Sequence, residues 1–254
     1  MTRRILYWYL PAAVALAAAV AFGAGFYSFT RGDTGTPVDF IARRTPAPAA
    51  APQAIISPIV LGDSLARGTG DQTGLGIGGR LDQELRRRGV RARSSTNIAV
   101  NGAKTPDLIQ QLQSPNVLTL LGQSNAIIVS IGGNDLWGGT NFRNAPPPNP
   151  DAAMSEVADR IQQIIGTIRR ASPKAHIFLI GLYNPFAVTP QGRLLTPLVN
   201  RWNAKLIERF SSDANVTVVQ TIDIFMNHDR LSFDRFHPGN EGYELIARRI
   251  ADAI

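Results

Sequence analysis

The stretch Ile59-Val60-Leu61-Gly62-Asp63-Ser64-Leu65 runs apolar and then stops abruptly at a glycine, a carboxylate and a hydroxyl. An apolar run without polar alternation reads as a strand buried on both faces, the habit of parallel sheets covered by helices. Open sheets of that kind place their chemistry beyond the carboxyl ends of the strands, and Ser64 falls there. Ser64 is therefore the candidate nucleophile.

A serine hydroxyl is a weak nucleophile, so it needs a base, and the base needs a group to orient it. The sequence holds 3 histidines, His176, His228 and His237. The last lies in Phe233-Asp234-Arg235-Phe236-His237-Pro238, where Asp234 precedes it at a spacing that one helical turn brings together. Asp234 is thus the expected orienting acid and His237 the expected base. Asp223 and His228 form a rival pair, but their spacing suits neither a helical turn nor one face of a strand. His176 opens a strand and reads as structural.

With these residues in place the chain resembles the SGNH hydrolases, also called the GDSL lipase and esterase family. Gly62-Asp63-Ser64-Leu65 matches the nucleophile block, Asn97-Ile98-Ala99-Val100-Asn101-Gly102 the glycine block, Gly132-Gly133-Asn134-Asp135 the asparagine block, and Asp234 to His237 the acid and base block. Each block is weak alone, but all occur in the family's order. The resemblance implies a catalytic set of Ser64, Asp234 and His237, with oxyanion donors at the Ser64 N–H, the Gly102 N–H and the Asn134 amide. Asp135 reads as a loop-bracing carboxylate. No cofactor or metal is expected. In the common α/β-hydrolases the serine sits in a GxSxG elbow, and Ala66 stands here where its second glycine would be.

The chain between these blocks alternates strands and helices, which argues for an α/β fold with a parallel sheet covered on both faces. The resemblance implies a three-layer α/β/α sandwich, and the strands expected are five. After the first comes a glycine-rich loop from Ala66 to Gly79, then a helix from Arg80 to Arg88. Gly74, Gly76 and Gly79 fit a GxGxxG pattern, yet they follow the strand too late, and no acidic residue stands at the distance a dinucleotide site requires. Val90 to Val100 is the second expected strand, and Thr105 is expected to cap a helix with Pro106 in its first position. Asn125 to Ile131 is the third strand. Leu136 to Pro150 is a loop too apolar for a mere connector, with Trp137, Phe142 and Pro146 to Pro148, and is assigned to the rim of the substrate cleft. Asn149 and Pro150 start a helix to about Ala171. A strand from Ala175 to Leu182, a helix from Leu194 to Phe210, a strand from Val216 to Gln220 and a final helix opened by Pro238 complete the unit.

The chain has 254 residues, of which 44% are hydrophobic and 18% charged, with a formal charge of +7 and no cysteine. That excludes disulfides, thiolate metal sites and a cysteine nucleophile. Arg86, Arg87, Arg88, Arg91 and Arg93 are locally dense, but helix-end cations favour the dipole, and no nucleic-acid motif accompanies them. After Arg3 and Arg4, Ile5 to Phe29 carries no charge. As a helix it would be about 37 Å long, enough to cross a hydrocarbon core of about 30 Å. Tyr7, Trp8, Tyr9, Phe26, Tyr27 and Phe29 stand at its ends like interfacial belts, and the arginine pair favours a cytoplasmic amino terminus. The expected organisation is an anchor over residues 1–30, a proline- and alanine-rich tether over 31–54 and a hydrolase domain over 55–254. A cleaved signal segment is the alternative to the anchor.

The expected function is hydrolysis of carboxylic esters through an acyl-enzyme on Ser64, with the catalytic domain outside the cytoplasm. The resemblance spans lysophospholipids, acyl thioesters, aryl esters and acetylated sugars, and the anchor favours lipids or acylated envelope polymers. Polysaccharide deacetylation and a non-catalytic acyl-binding module are the alternatives. An ordinary histidine protonates near pH 6.5, so a rate that depends on such a base is expected to fall below about that pH.

Overall fold

The computed structural model describes residues 9–31, 55–137 and 149–254. The chain divides into two units, Met1–Pro52 and Gln53–Ile254. In the first, helix α1 (Leu10–Thr30) is apolar on all sides. Its Leu10–Ser28 portion is long and apolar enough to cross a membrane, a test that a signal sequence also passes. Just past the helix the Arg31 guanidinium lies over the Tyr27 ring, 4.5 Å from its centroid. Tyr7, Trp8 and residues 32–54 of the expected tether lie outside the described residues.

The second unit is built on β1 (Pro58–Gly62), β2 (Thr96–Asn97), β3 (Ala126–Ser130), β4 (His176–Ile180) and β5 (Val216–Val219). They form one parallel sheet in the order β2-β1-β3-β4-β5. Because side chains alternate across a strand, each central strand supplies both faces. Ile59, Leu61, Ile127, Val129, Ile177 and Leu179 join one core, and Val60, Ile128, Phe178 and Ile180 join the other. The first core is closed by α4 (Thr105–Gln111), α5 (Pro115–Gly122), α7 (Pro150–Ala171) and α9 (Thr196–Phe210). The second is closed by α3 (Gly76–Arg87) and α10 (Asn240–Ala251), whose Ile77, Leu81, Leu85, Tyr243, Ile246 and Ile250 are fully buried. The result is the α/β/α sandwich expected from the sequence. Two short helices, α2 (Ser64–Arg67) and α6 (Gly133–Trp137), cap the carboxyl ends of β1 and β3, and a third, α8 (Pro190–Arg193), follows β4.

Several boundaries move from those expected. Helix α3 starts at Gly76 rather than Arg80, and within it Gly78 packs where a Cβ would stand 3.1 Å from Ser95 and 3.3 Å from Val60. Gly78 therefore serves the approach of helix to sheet rather than the glycine-rich loop expected from Ala66 to Gly79. The expected second strand, Val90 to Val100, shrinks to two residues plus an isolated Ile56–Ala92 bridge. At this edge the Asp82 carboxylate holds Ser95 through its N–H and hydroxyl, which diverts the chain from the ladder. Lys104, not Thr105, is the cap of α4, because the Thr105 hydroxyl is taken by Asp135. Finally, α10 begins at Asn240 after Gly239, since Pro238 is occupied in an antiparallel bridge with Leu231.

Candidate active site

Strand β1 ends on Gly62 at φ 123°, where an added Cβ would lie 1.8 Å from the Ser130 carbonyl oxygen. Only glycine lets the chain turn so close to β3. The Asp63 N–H then donates to the same Ser130 oxygen at 2.9 Å. Asp63 caps α2 by accepting from the Leu65 N–H at 3.1 Å, and this leaves Ser64 as the first helical residue above the sheet.

Asp234 and His237 meet as expected from their spacing, but not in a helical turn. Arg235 takes a left-handed φ of 55°, and Asp234 Oδ1 accepts from the N–H groups of Phe236 and His237, each at 2.9 Å. Short polar side chains hold turns in this way by bonding backbone just ahead of them. The Ser232 hydroxyl donates to Asp234 Oδ1 at 2.6 Å, and the Ser232 N–H donates to the His237 carbonyl at 2.7 Å. The loop is tied down again by Tyr183, whose hydroxyl donates to the Phe236 carbonyl at 2.7 Å. His237, 6% exposed, lies 2.7 Å from Asp234 Oδ2 through Nδ1 and 2.8 Å from Ser64 Oγ through Nε2.

Burial acts to raise the Asp234 carboxyl. The Ser232 hydroxyl, the His237 ring and the backbone N–H groups outweigh it and hold the group down at about 2. Asp234 is therefore ionised near neutrality and fixes the proton of His237 on Nδ1, which leaves Nε2 free to accept from Ser64. Asp63 goes the other way. Its burial exceeds the help of the Leu65 N–H and the Ser130 hydroxyl and pushes its carboxyl up to about 7.

Asn134 stands on α6, just beyond β3, and its Nδ2 donates to the Ala103 carbonyl at 2.9 Å. That bond joins α6 to the turn carrying Gly102, which adopts φ 78°. The N–H groups of Ser64 and Gly102 have no acceptor among the described residues. Ser64, His237 and Asn134 line one open cleft, together with Leu65, Trp137, Leu182, Pro185, Val199 and Phe236. Asp234 lies behind His237, and Gly102 borders the site through Ala103 without lining the cleft. Trp137 fits the rim role given to the Leu136 to Pro150 loop, while residues 138–148 of that loop lie outside the described residues.

The rival histidines are engaged elsewhere. Asp223 pairs with Arg249 at 2.6 Å, and His228 begins a separate 3₁₀ turn. His176 bonds Thr217 across β4 and β5 at 2.7 Å. Two residues near the centre escaped the reading of the sequence. Tyr183 carried one signal only, its place just past the carboxyl end of β4. Ser232 carried none, because its contact with Asp234 depends on a turn that no periodicity marks.

A family model described as GDSL-like lipase/acylhydrolase matches residues 60–245. An uncharacterized protein, YpmR, from Bacillus subtilis is 30% identical over 202 residues, covering 76% of this chain and 79% of that protein. A spore germination lipase, LipC, from Bacillus licheniformis is 24% identical over 207 residues, covering 76% and 93%. Among solved structures, the lipase Lip_vut3 from a goat rumen metagenome shares the fold with a TM-score of 0.64 at 22% identity, covering 78% of this chain and 97% of that one.

Proposed function

The chain belongs to the GDSL-like lipase/acylhydrolase family of ester hydrolases, and from that premise we propose that it hydrolyses carboxylic esters of acyl lipids or acylated envelope polymers through an acyl-enzyme on Ser64. The observation that carries this reading is one unbroken line of hydrogen bonds, Asp234 to His237 at 2.7 Å and His237 to Ser64 at 2.8 Å, opening on an apolar cleft.

Ser64 Oγ attacks the ester carbonyl as His237 Nε2 takes its proton. The negative charge of Asp234 stabilises the imidazolium that forms. The carbonyl oxygen becomes an oxyanion facing the Ser64 N–H, the Gly102 N–H and the Asn134 amide, whose second proton is not used by Ala103. His237 then gives its proton to the departing alcohol. Water, deprotonated by the same ring, attacks the acyl-serine carbonyl, and His237 returns that proton to the departing Ser64 Oγ as the acid is released. Leu65, Trp137, Leu182, Val199 and Phe236 give the acyl chain an apolar wall, which favours acyl lipids over acetylated sugars.

The α1 helix serves as a membrane anchor in this reading, residues 31–54 as its tether and residues 55–254 as the hydrolase domain, held outside the cytoplasm. A panel of lysophospholipids, aryl esters of graded chain length, acyl thioesters and acetylated glycans tests the reading against Ser64→Ala. Hydrolysis of acyl esters that Ser64→Ala lowers by about 1,000-fold or more supports it. Activity retained by Ser64→Ala would falsify the nucleophile, and acetate release from glycans without acyl-ester hydrolysis would replace the substrate class.

A further inference from the structure

Next to Asn134, the side chain of Asp135 turns away from the cleft and is 4% exposed. It accepts from the Thr105 N–H at 2.9 Å and from the Thr105 hydroxyl at 2.5 Å. Arg160 of α7 closes the triangle, with Nε donating to the Thr105 hydroxyl at 2.7 Å and Nη2 to Asp135 at 3.4 Å. Thr105 is fully buried and is the first residue of α4, directly after the Gly102 turn.

The segments carrying Gly102 and Asn134 follow different strands, so nothing in the chain's connectivity fixes their separation. Among the described residues two cross-links do: the Asn134 amide on the Ala103 carbonyl, and Asp135 on Thr105. The first spends half of an amide that the reaction needs. The second is charge-assisted, with Asp135 and Thr105 buried, and leaves that amide alone.

We infer that Asp135, with Thr105 and Arg160, is a positioning unit for ester hydrolysis: it sets the distance between the Gly102 and Asn134 oxyanion donors without touching substrate. The inference rests on the proposed acyl-enzyme chemistry. A donor held in place before the reaction stabilises charge that appears only in the transition state, so loosening the unit lowers kcat and leaves KM near its original value. Misplacement by about 1 Å costs up to about 100-fold.

The test measures kcat and KM of the detergent-solubilised full chain on a soluble aryl ester. Asp135→Asn and Thr105→Val are each expected to lower kcat by about 10- to 100-fold with KM within about twofold. Thr105→Ser, which restores the hydroxyl, should return kcat to within about threefold of the starting protein. On an Asn134→Ala background, where one positioned donor is already gone, Asp135→Asn should cost less than about threefold more, since coupled sites are not additive. If Asp135→Asn does not fold, the Thr105→Val and Thr105→Ser pair decides. A kcat within about threefold of wild type in the folded variants, a loss confined to KM, or a loss that multiplies in full with Asn134→Ala overturns the inference. Activity surviving Ser64→Ala would instead remove the acyl-enzyme reading beneath it, so the two failures are separable.

Discussion

Replacing Asp63 by asparagine should make the protein more stable, and increasingly so as the pH rises. Asp63 is buried beside the candidate nucleophile, and its carboxyl is pushed from 3.8 up to about 7 by desolvation, against the opposing Leu65 N–H and Ser130 hydroxyl. Between those two pH values the unfolded chain has released this proton while the folded chain still holds it. The unfolded state therefore binds fewer protons, and stability falls as the pH rises through the window. At about 1.4 kcal/mol per pH unit, the full loss is about 4 kcal/mol, reached just above pH 7. Asparagine keeps the Oδ1 that accepts from Leu65 and Ser130 and removes the ionisation. Urea unfolding of wild type and Asp63→Asn, followed by tryptophan fluorescence from pH 4 to pH 8.5, measures the difference. The carboxylates held low, Asp234, Glu84, Asp71 and Asp223, are common to both proteins and cancel. The account predicts that the asparagine variant gains about 4 kcal/mol on wild type across this range, most of it by pH 7. A difference that varies by less than about 1 kcal/mol would refute the reasoning, because the carboxyl would then titrate alike in both states.

Asn134→Ala should lower kcat by about 100- to 1,000-fold in steady-state ester hydrolysis, with a smaller effect on KM, as loss of one oxyanion donor does. Gly62→Ala should destabilise the fold by about 3 kcal/mol or more in thermal or urea unfolding, because its Cβ would fall 1.8 Å from the Ser130 oxygen. Carbonate washing of membranes should leave the full chain in the pellet if α1 is an anchor, and release of intact protein would assign α1 to another role.

How much of this was legible in the sequence depended on whether the signal was local. Buried strands such as Ile59 to Leu61 and Asn125 to Ile131 announce themselves, because both faces must be apolar. The Asn149-Pro150 start of α7 carries its own cap, with the Asn149 side chain accepting from the Ala152 N–H. The sheet edge did not read as well: Val90 to Val100 has the composition of a strand, but the Asp82 to Ser95 contact, made across 13 residues, sets its course. The candidate site shows the same division. Ser64, Asn134, Asp234 and His237 are legible as candidates because their blocks occur in order, and the structure brings Ser64, Asp234 and His237 into one line of hydrogen bonds. The turn that joins Asp234 to His237 was misread as helical, since a spacing of three is compatible with both. The Tyr183 to Phe236 and Asp135 to Thr105 links exist only once distant segments meet, and the Ser232 to Asp234 contact belongs to a local turn that no periodicity marks.

The most direct test of the acyl-enzyme is the site at which an active-site-directed fluorophosphonate attaches. Peptide mapping of the labelled full chain is predicted to place one phosphonyl group on Ser64, with labelling abolished in Ser64→Ala and strongly slowed in His237→Ala. A folded, ester-hydrolysing protein labelled at another residue, or not labelled at all, would contradict the account.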